Sequence, residues 1–121
     1  MPRIPAVLLV LPALLLGAPA VLAHAFLDRA VPAVGSTVHQ SPAEVRLRFT
    51  EAIEAALSTV RVEDAAGHTV STGPAKPDAS DRQVLVVPLG ALAPGSYKVI
   101  WRVLSVDTHV TSGNFRFTVA P

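Results

Sequence analysis

Residues Glu44-Val45-Arg46-Leu47-Arg48-Phe49 alternate charged and apolar side chains with a period of two. Successive side chains of an extended chain leave opposite faces, so this segment has one wet and one dry face and predicts a half-buried strand. Thr59-Val60-Arg61-Val62-Glu63 repeats the pattern, and Ala65-Ala66-Gly67 supplies a turn before the short run His68-Thr69-Val70. Gln83 to Val87 is apolar on both faces and predicts a central strand. Tyr97 to Val106 predicts a long strand with Tyr97, Val99, Trp101 and Val103 on one face; in the last strand Phe115, Phe117 and Val119 alternate with Asn114, Arg116 and Thr118. Pro and Gly fall in the gaps, at Pro32, Gly35, Pro42, Gly73-Pro74, Pro77, Pro94-Gly95 and Gly113, and Gly73 to Asp81 reads as an exposed polar loop. A helical period fits only Ala52 to Leu57, which is too short to stand alone and predicts a loop or a single turn. About seven short strands without a long amphipathic helix predict an all-β fold, an antiparallel β-sandwich of immunoglobulin-like type.

The first 23 residues break this pattern. Arg3 is followed by the almost wholly apolar Ile4 to Leu16, then by Gly17 and small residues ending Val21-Leu22-Ala23. That order of charge, apolar stretch and small residues is that of a secretory signal peptide. The apolar stretch is short for a membrane span, and Pro5 and Pro12 interrupt it. Cleavage after Ala20 would release Val21, and cleavage after Ala23 would release His24. The second is preferred, because strand-like sequence begins there. Residues 24–121 are then one exported domain whose first residue is a histidine.

Removing residues 1–23 from the 121 leaves 98, enough for one core. Arg3 leaves with the signal, so nine basic residues face nine acidic ones, a balance with no electrostatic footprint for nucleic acid. The chain has no cysteine, which excludes disulfides, thiolate metal sites and thiol catalysis.

Chemistry must come from a few polar groups. Asp107 and His109 lie two apart in Ser105-Val106-Asp107-Thr108-His109, so an extended backbone would put both on one face. Alone, such a pair reads as a solvated strand end. His39 and His68 read as solvated loop residues. His24 differs, because a free N-terminal histidine offers its α-amine and its imidazole Nδ1 to one ion in a single chelate ring. With His109 and Asp107 the set becomes three nitrogens and one oxygen, which suits Cu(II).

The mature chain resembles the CopC family of periplasmic copper-binding proteins over essentially its whole length. The resemblance is carried by H-A-F-L-D-R-A-V-P-A-V-G-S from His24, by L-R-F-T-E ending in Glu51, by L-A-P-G-S-Y-K-V-I-W-R-V-L-S-V-D-T-H-V-T-S-G from Leu92 to Gly113, and by Phe115-Arg116-Phe117. It implies a Greek-key β-barrel or sandwich and a Cu(II) site made by His24, Asp107 and His109, with Glu51 nearby. It also implies a periplasmic role in copper homeostasis or resistance. A CopD-type inner-membrane copper transport protein is the implied partner, expected here as a separate chain, and the domain itself is expected as a monomer. Some members bind Cu(I) through a methionine-rich segment; here the only methionine is Met1, in the signal, so a Cu(II)-only member is expected.

Three other readings compete. A histidine-brace oxidative enzyme would need an open coordination position and a sugar-binding surface, yet Asp107 would fill the position, and the chain has one Trp and one Tyr. A hydrolase using Ser105, Asp107 and His109 is excluded by their crowding on one segment and by the lack of a G-x-S-x-G elbow. A metal-free immunoglobulin-like interaction module is the third. The expectation is a non-enzymatic copper carrier.

Overall fold

The structure is a computed structural model that describes Pro2 and residues 25–121. The signal segment, both candidate cleavage sites and His24 lie outside the described residues.

Among the described residues eight strands form two four-stranded sheets. One sheet contains β1 (Leu27–Val31), β3 (Glu44–Phe49), β6 (Asp81–Pro88) and β5 (Lys76–Asp78), in that order; the other contains β2 (Thr37–Val38), β8 (Val110–Val119), β7 (Gly95–Leu104) and β4 (Thr59–Glu63). Every pairing between these strands is antiparallel except β2 with β8, which is parallel. The expected β-sandwich is therefore present, with one short parallel pair at an edge.

The period-two segments behave as their patterns dictate. Val45, Leu47 and Phe49 of β3 are fully buried, as are Leu85 and Val87 of β6. Val84 points to the other face of its sheet yet is also buried, in a hollow lined by Arg29, Val31, Arg46 and Arg48. Aliphatic arginine stems cover it, so β6 can be apolar on both faces. In the second sheet Tyr97, Val99, Trp101 and Val103 of β7 meet Phe115, Phe117 and Val119 of β8 in the core. Phe49 and Trp101 join the sheets edge to face at 5.3 Å, and Tyr97 stacks on Phe117 at 5.6 Å. Gly113 lies opposite Trp101, and a Cβ there would come within 2.4 Å of the indole. The glycine is required by the ring.

Four expectations are corrected. Gly73 to Asp81 is not wholly loop: Ala75 is buried and Lys76–Asp78 forms β5 along the far edge of β6. Arg46, reaching across from β3, fixes the end of this edge strand by donating to the Asp78 carboxylate at 2.6 Å. The long strand from Tyr97 ends at Leu104, not Val106, because Ser105 already begins a turn. His68 to Val70 makes only an isolated bridge, Glu63 to Thr69. Strand structure at the start of the domain begins at Leu27, not immediately at its first residue. Ala52 to Leu57 contains the expected single turn, a 3-10 turn at Ala55–Leu57.

Candidate metal centre

Two of the candidate residues, Asp107 and His109, lie where β7 turns into β8. Leu104 pairs with Val110, and Ser105 to His109 form the loop between them. The Ser105 N–H donates to the His109 carbonyl at 2.9 Å, and the Thr108 N–H donates to the Ser105 carbonyl at 2.9 Å. Closing so short a loop requires a left-handed residue, and Thr108 takes it, with φ of 70°. Asp107 and His109 are thus brought together by a turn, not by extended backbone as the spacing suggested. Their side chains still meet: His109 Nδ1 is 3.3 Å from Asp107 Oδ2.

Ser105 organises this loop from beneath. It is the one buried polar residue among those described, and it is completely buried. Its hydroxyl donates to Asp107 Oδ1, accepts from the His109 N–H at 3.4 Å and stands 3.2 Å from the His109 carbonyl oxygen. The Ser105 hydroxyl, with a smaller contribution from His109, holds the Asp107 carboxyl below the ordinary carboxylate value, against a partial opposing effect of burial. Asp107 is therefore an anion across the neutral range, and a carboxylate beside an imidazole offers two donor types that a divalent metal ion takes.

The start of the domain is tied to the same place. The Thr111 hydroxyl, two residues beyond His109, donates to the carbonyl of the fully buried Ala25 at 2.6 Å. On the other side the Phe26 N–H donates to Thr50 Oγ1 at 3.0 Å, and the Thr50 N–H returns a bond to the Phe26 carbonyl at 2.9 Å. Thr50 immediately precedes Glu51, and the next residue, Ala52, accepts from the Val106 N–H at 3.0 Å. The entering chain is held between the start of β8, just beyond the loop that carries Asp107 and His109, and the segment that carries Glu51.

Among the described residues no group of three or more His, Cys, Asp and Glu is placed to hold an ion, so Glu51 does not form such a set with Asp107 and His109. Glu51 is half-buried at the end of β3. His39 is exposed on the segment after β2. His68 is exposed and faces Asp64, with Nδ1 3.5 Å from Oδ2. Neither is near the β7–β8 loop in register. Ser105, Thr50 and Thr111 escaped the sequence reading, which weighed Ser105 only as a nucleophile. A signal for Ser105 was present: it continues the inward series Tyr97, Val99, Trp101, Val103 as the one polar member.

A family model described as CopC domain matches residues 27–120. Protein YobA of Escherichia coli (strain K12) is 38% identical over 102 residues, covering 84% of this chain and 82% of that protein. The crystal structure of CopC from Methylosinus trichosporium OB3b superposes with a TM-score of 0.76 at 40% identity, over 81% of this chain and 95% of that one. PcoC from Escherichia coli, described as a methionine-rich copper resistance protein, superposes with a TM-score of 0.70 at 31% identity, over 80% of this chain and 99% of its own.

Proposed function

The chain belongs to the CopC family of copper-handling proteins, and from that premise we propose that it is a non-enzymatic periplasmic carrier of one Cu(II) ion. The ligands are the α-amine and imidazole of His24, the imidazole of His109 and the carboxylate of Asp107. The observation that carries the reading is the 2.6 Å bond from Thr111 to the carbonyl of Ala25. It anchors the residue after His24 beside the strand that leaves the Asp107–His109 loop, and two residues of strand rise only about 7 Å. His24 is the residue joined to that anchor in sequence, which supports adding its two nitrogens to the set.

The donor chemistry agrees. Two imidazoles, an amine and a carboxylate favour Cu(II) over softer ions, and the described domain contains no methionine or cysteine. A Cu(I) site built from thioethers has no ligands here, in contrast to a methionine-rich relative such as PcoC. Glu51, one residue from the Thr50 clamp, acts as an axial or outer contact that tunes the ion. Asp107 completes the set and leaves no open position for oxygen chemistry, which favours carriage over catalysis. Copper captured after export passes to a membrane partner of the CopD type.

The test places one glycine ahead of His24. Every side chain is kept, but the α-amine moves off the imidazole chelate ring. Competition titration against a chelator is expected to show Cu(II) affinity at least about 100-fold weaker, with circular dichroism unchanged. Equal affinity of the two forms would remove the amine, and with it the site. Because amines and imidazoles must lose protons to bind metal, copper should be released steeply below about pH 6.

A further inference from the structure

The geometry points to Ser105 as the positioning residue of the copper loop: its buried hydroxyl fixes the rotamer of Asp107 and the backbone of His109 before the ion arrives. This inference rests on the Cu(II) reading above and concerns a residue that is itself no ligand.

Three observations converge on it. Ser105 is 0% exposed, at the inner-face position that Val103 and Trp101 precede on β7, where an apolar side chain would serve packing as well. A hydroxyl has one proton, and Asp107 Oδ1 is a stronger acceptor than the His109 carbonyl also within reach. The proton therefore goes to the carboxylate. Its lone pairs face the His109 N–H, so one atom touches both ligand-bearing residues. With Oδ1 held by serine, Oδ2 is the oxygen turned toward His109 Nδ1, and an ion bound by both side chains would take the place of that contact. Ligands held this way lose little freedom on binding, and loss of such an outer partner typically weakens metal affinity about 10–100-fold.

The experiment is Ser105→Ala in the mature protein, with Cu(II) affinity read by competition and the coordination read by electron paramagnetic resonance. The expected result is a 10–100-fold loss of affinity, with the single wild-type spectrum replaced by a shifted or mixed one, since the carboxylate is free to rotate. The same change made in Asp107→Ala should cost clearly less than in the wild type, because the carboxylate that the serine orients is gone and only its contact to the His109 backbone is left. A full further loss in that background, or a Ser105→Ala protein with wild-type affinity and spectrum, overturns the proposal while leaving the copper site standing. Failure of the wild type to take up Cu(II) through Asp107 overturns both. Should Ser105→Ala not fold, the wild-type apo protein decides by nuclear magnetic resonance. A slowly exchanging Ser105 hydroxyl proton with contacts to the His109 amide supports the assignment, and a hydroxyl in fast exchange with water overturns it.

Discussion

Among the described residues the same five-residue loop occurs twice. In Asp64 to His68, as in Ser105 to His109, the first N–H donates to the fifth carbonyl and the fourth N–H to the first carbonyl. Each loop ends in a histidine, has a left-handed fourth residue and is flanked by a bridged pair, Glu63 with Thr69 and Leu104 with Val110. Each even brings a carboxylate near the imidazole, at 3.5 Å and 3.3 Å. The difference is which residue caps the turn. Asp64 stands first, so its Oδ1 is occupied by the amides of Ala66 and His68, at 3.0 Å and 2.9 Å. In the other loop a serine stands first and caps, which leaves the carboxylate at the third position. The second difference lies outside the loops: only Ser105 to His109 has the start of the domain anchored beside it, through Thr111 and Ala25. A carboxylate–imidazole pair is common; what surrounds it makes it a candidate site.

The largest expected contrast is between the two histidines. His109→Ala should weaken Cu(II) binding by at least about 100-fold, because a nitrogen ligand is removed, whereas His68→Ala should change it by less than about twofold. Titration followed by quenching of the single Trp101, four residues before Ser105 on the same strand, reads both. Loss of copper on replacing His68 would break the comparison.

Transplanting the loop tests its surroundings. Asp64→Ser with Ala66→Asp rebuilds the serine, carboxylate and histidine spacing at the Asp64 loop but brings no chain terminus. The doubly substituted protein should still bind one Cu(II) tightly, with any second equivalent at least about 100-fold weaker. A second tight equivalent in the titration would show that the loop alone suffices.

The left-handed positions give smaller effects. Gly67 has φ of 85° with open space around it, so Gly67→Thr adds no clash and should cost only the backbone strain, about 1–2 kcal/mol of stability. Thr108 already bears that strain at φ of 70°, and Thr108→Gly should change stability by less than about 1 kcal/mol, since relief of strain is offset by the entropy glycine loses on folding. Urea denaturation of the two apo proteins checks both. Equal and large losses at the two positions would show that the loops are not equivalent.

The smallest effect is in acid. Backbone hydrogen bonds, first from His68 and then from Ala66, hold the Asp64 carboxyl below its ordinary value of 3.8, and Arg46 holds Asp78 down to about 2. A carboxyl depressed in the folded state contributes stability that is fully present above its unfolded value and is lost as pH falls through the folded one. Apo stability should therefore decline between about pH 4 and pH 2. Asp64→Asn, which keeps an oxygen for the amides but has no charge to lose, should make that decline shallower. An unchanged acid limb in thermal melts from pH 5 to pH 2 would argue against the hydrogen-bonded carboxylate.

Most of the fold was legible because its strands are half-buried and alternate: β3 and β4 begin and end where the pattern of Glu44 to Phe49 and Thr59 to Glu63 does. Segments stabilised from elsewhere were not legible. Lys76–Asp78 has no apolar alternation and becomes a strand because β6 offers an edge and Arg46 a charge. The two-residue β2 exists only through its pairing with β8. In the site, the D-x-H spacing and the motif around it were readable, while the turn that joins Asp107 to His109 was not, since a β-branched Thr108 at a left-handed position runs against local preference.

By itself the sequence determined the residue types: no sulfur in the described domain, a balanced charge, alternating strands, and the Asp107 and His109 pair within a family motif. Those follow from local chemistry, in which each residue's polarity and spacing act over a few neighbours. Only the tertiary structure decided which of two nearly identical loops lies beside the start of the domain, and which serine lies beneath it. Thr111 and Ala25 are 86 residues apart in sequence, and Thr50 and Phe26 are 24 apart. The second pair extends the pairing of β1 with β3 within one sheet. The first joins the chain entering β1 to β8 of the other sheet, and its hydrogen bond exists only once the two sheets have packed.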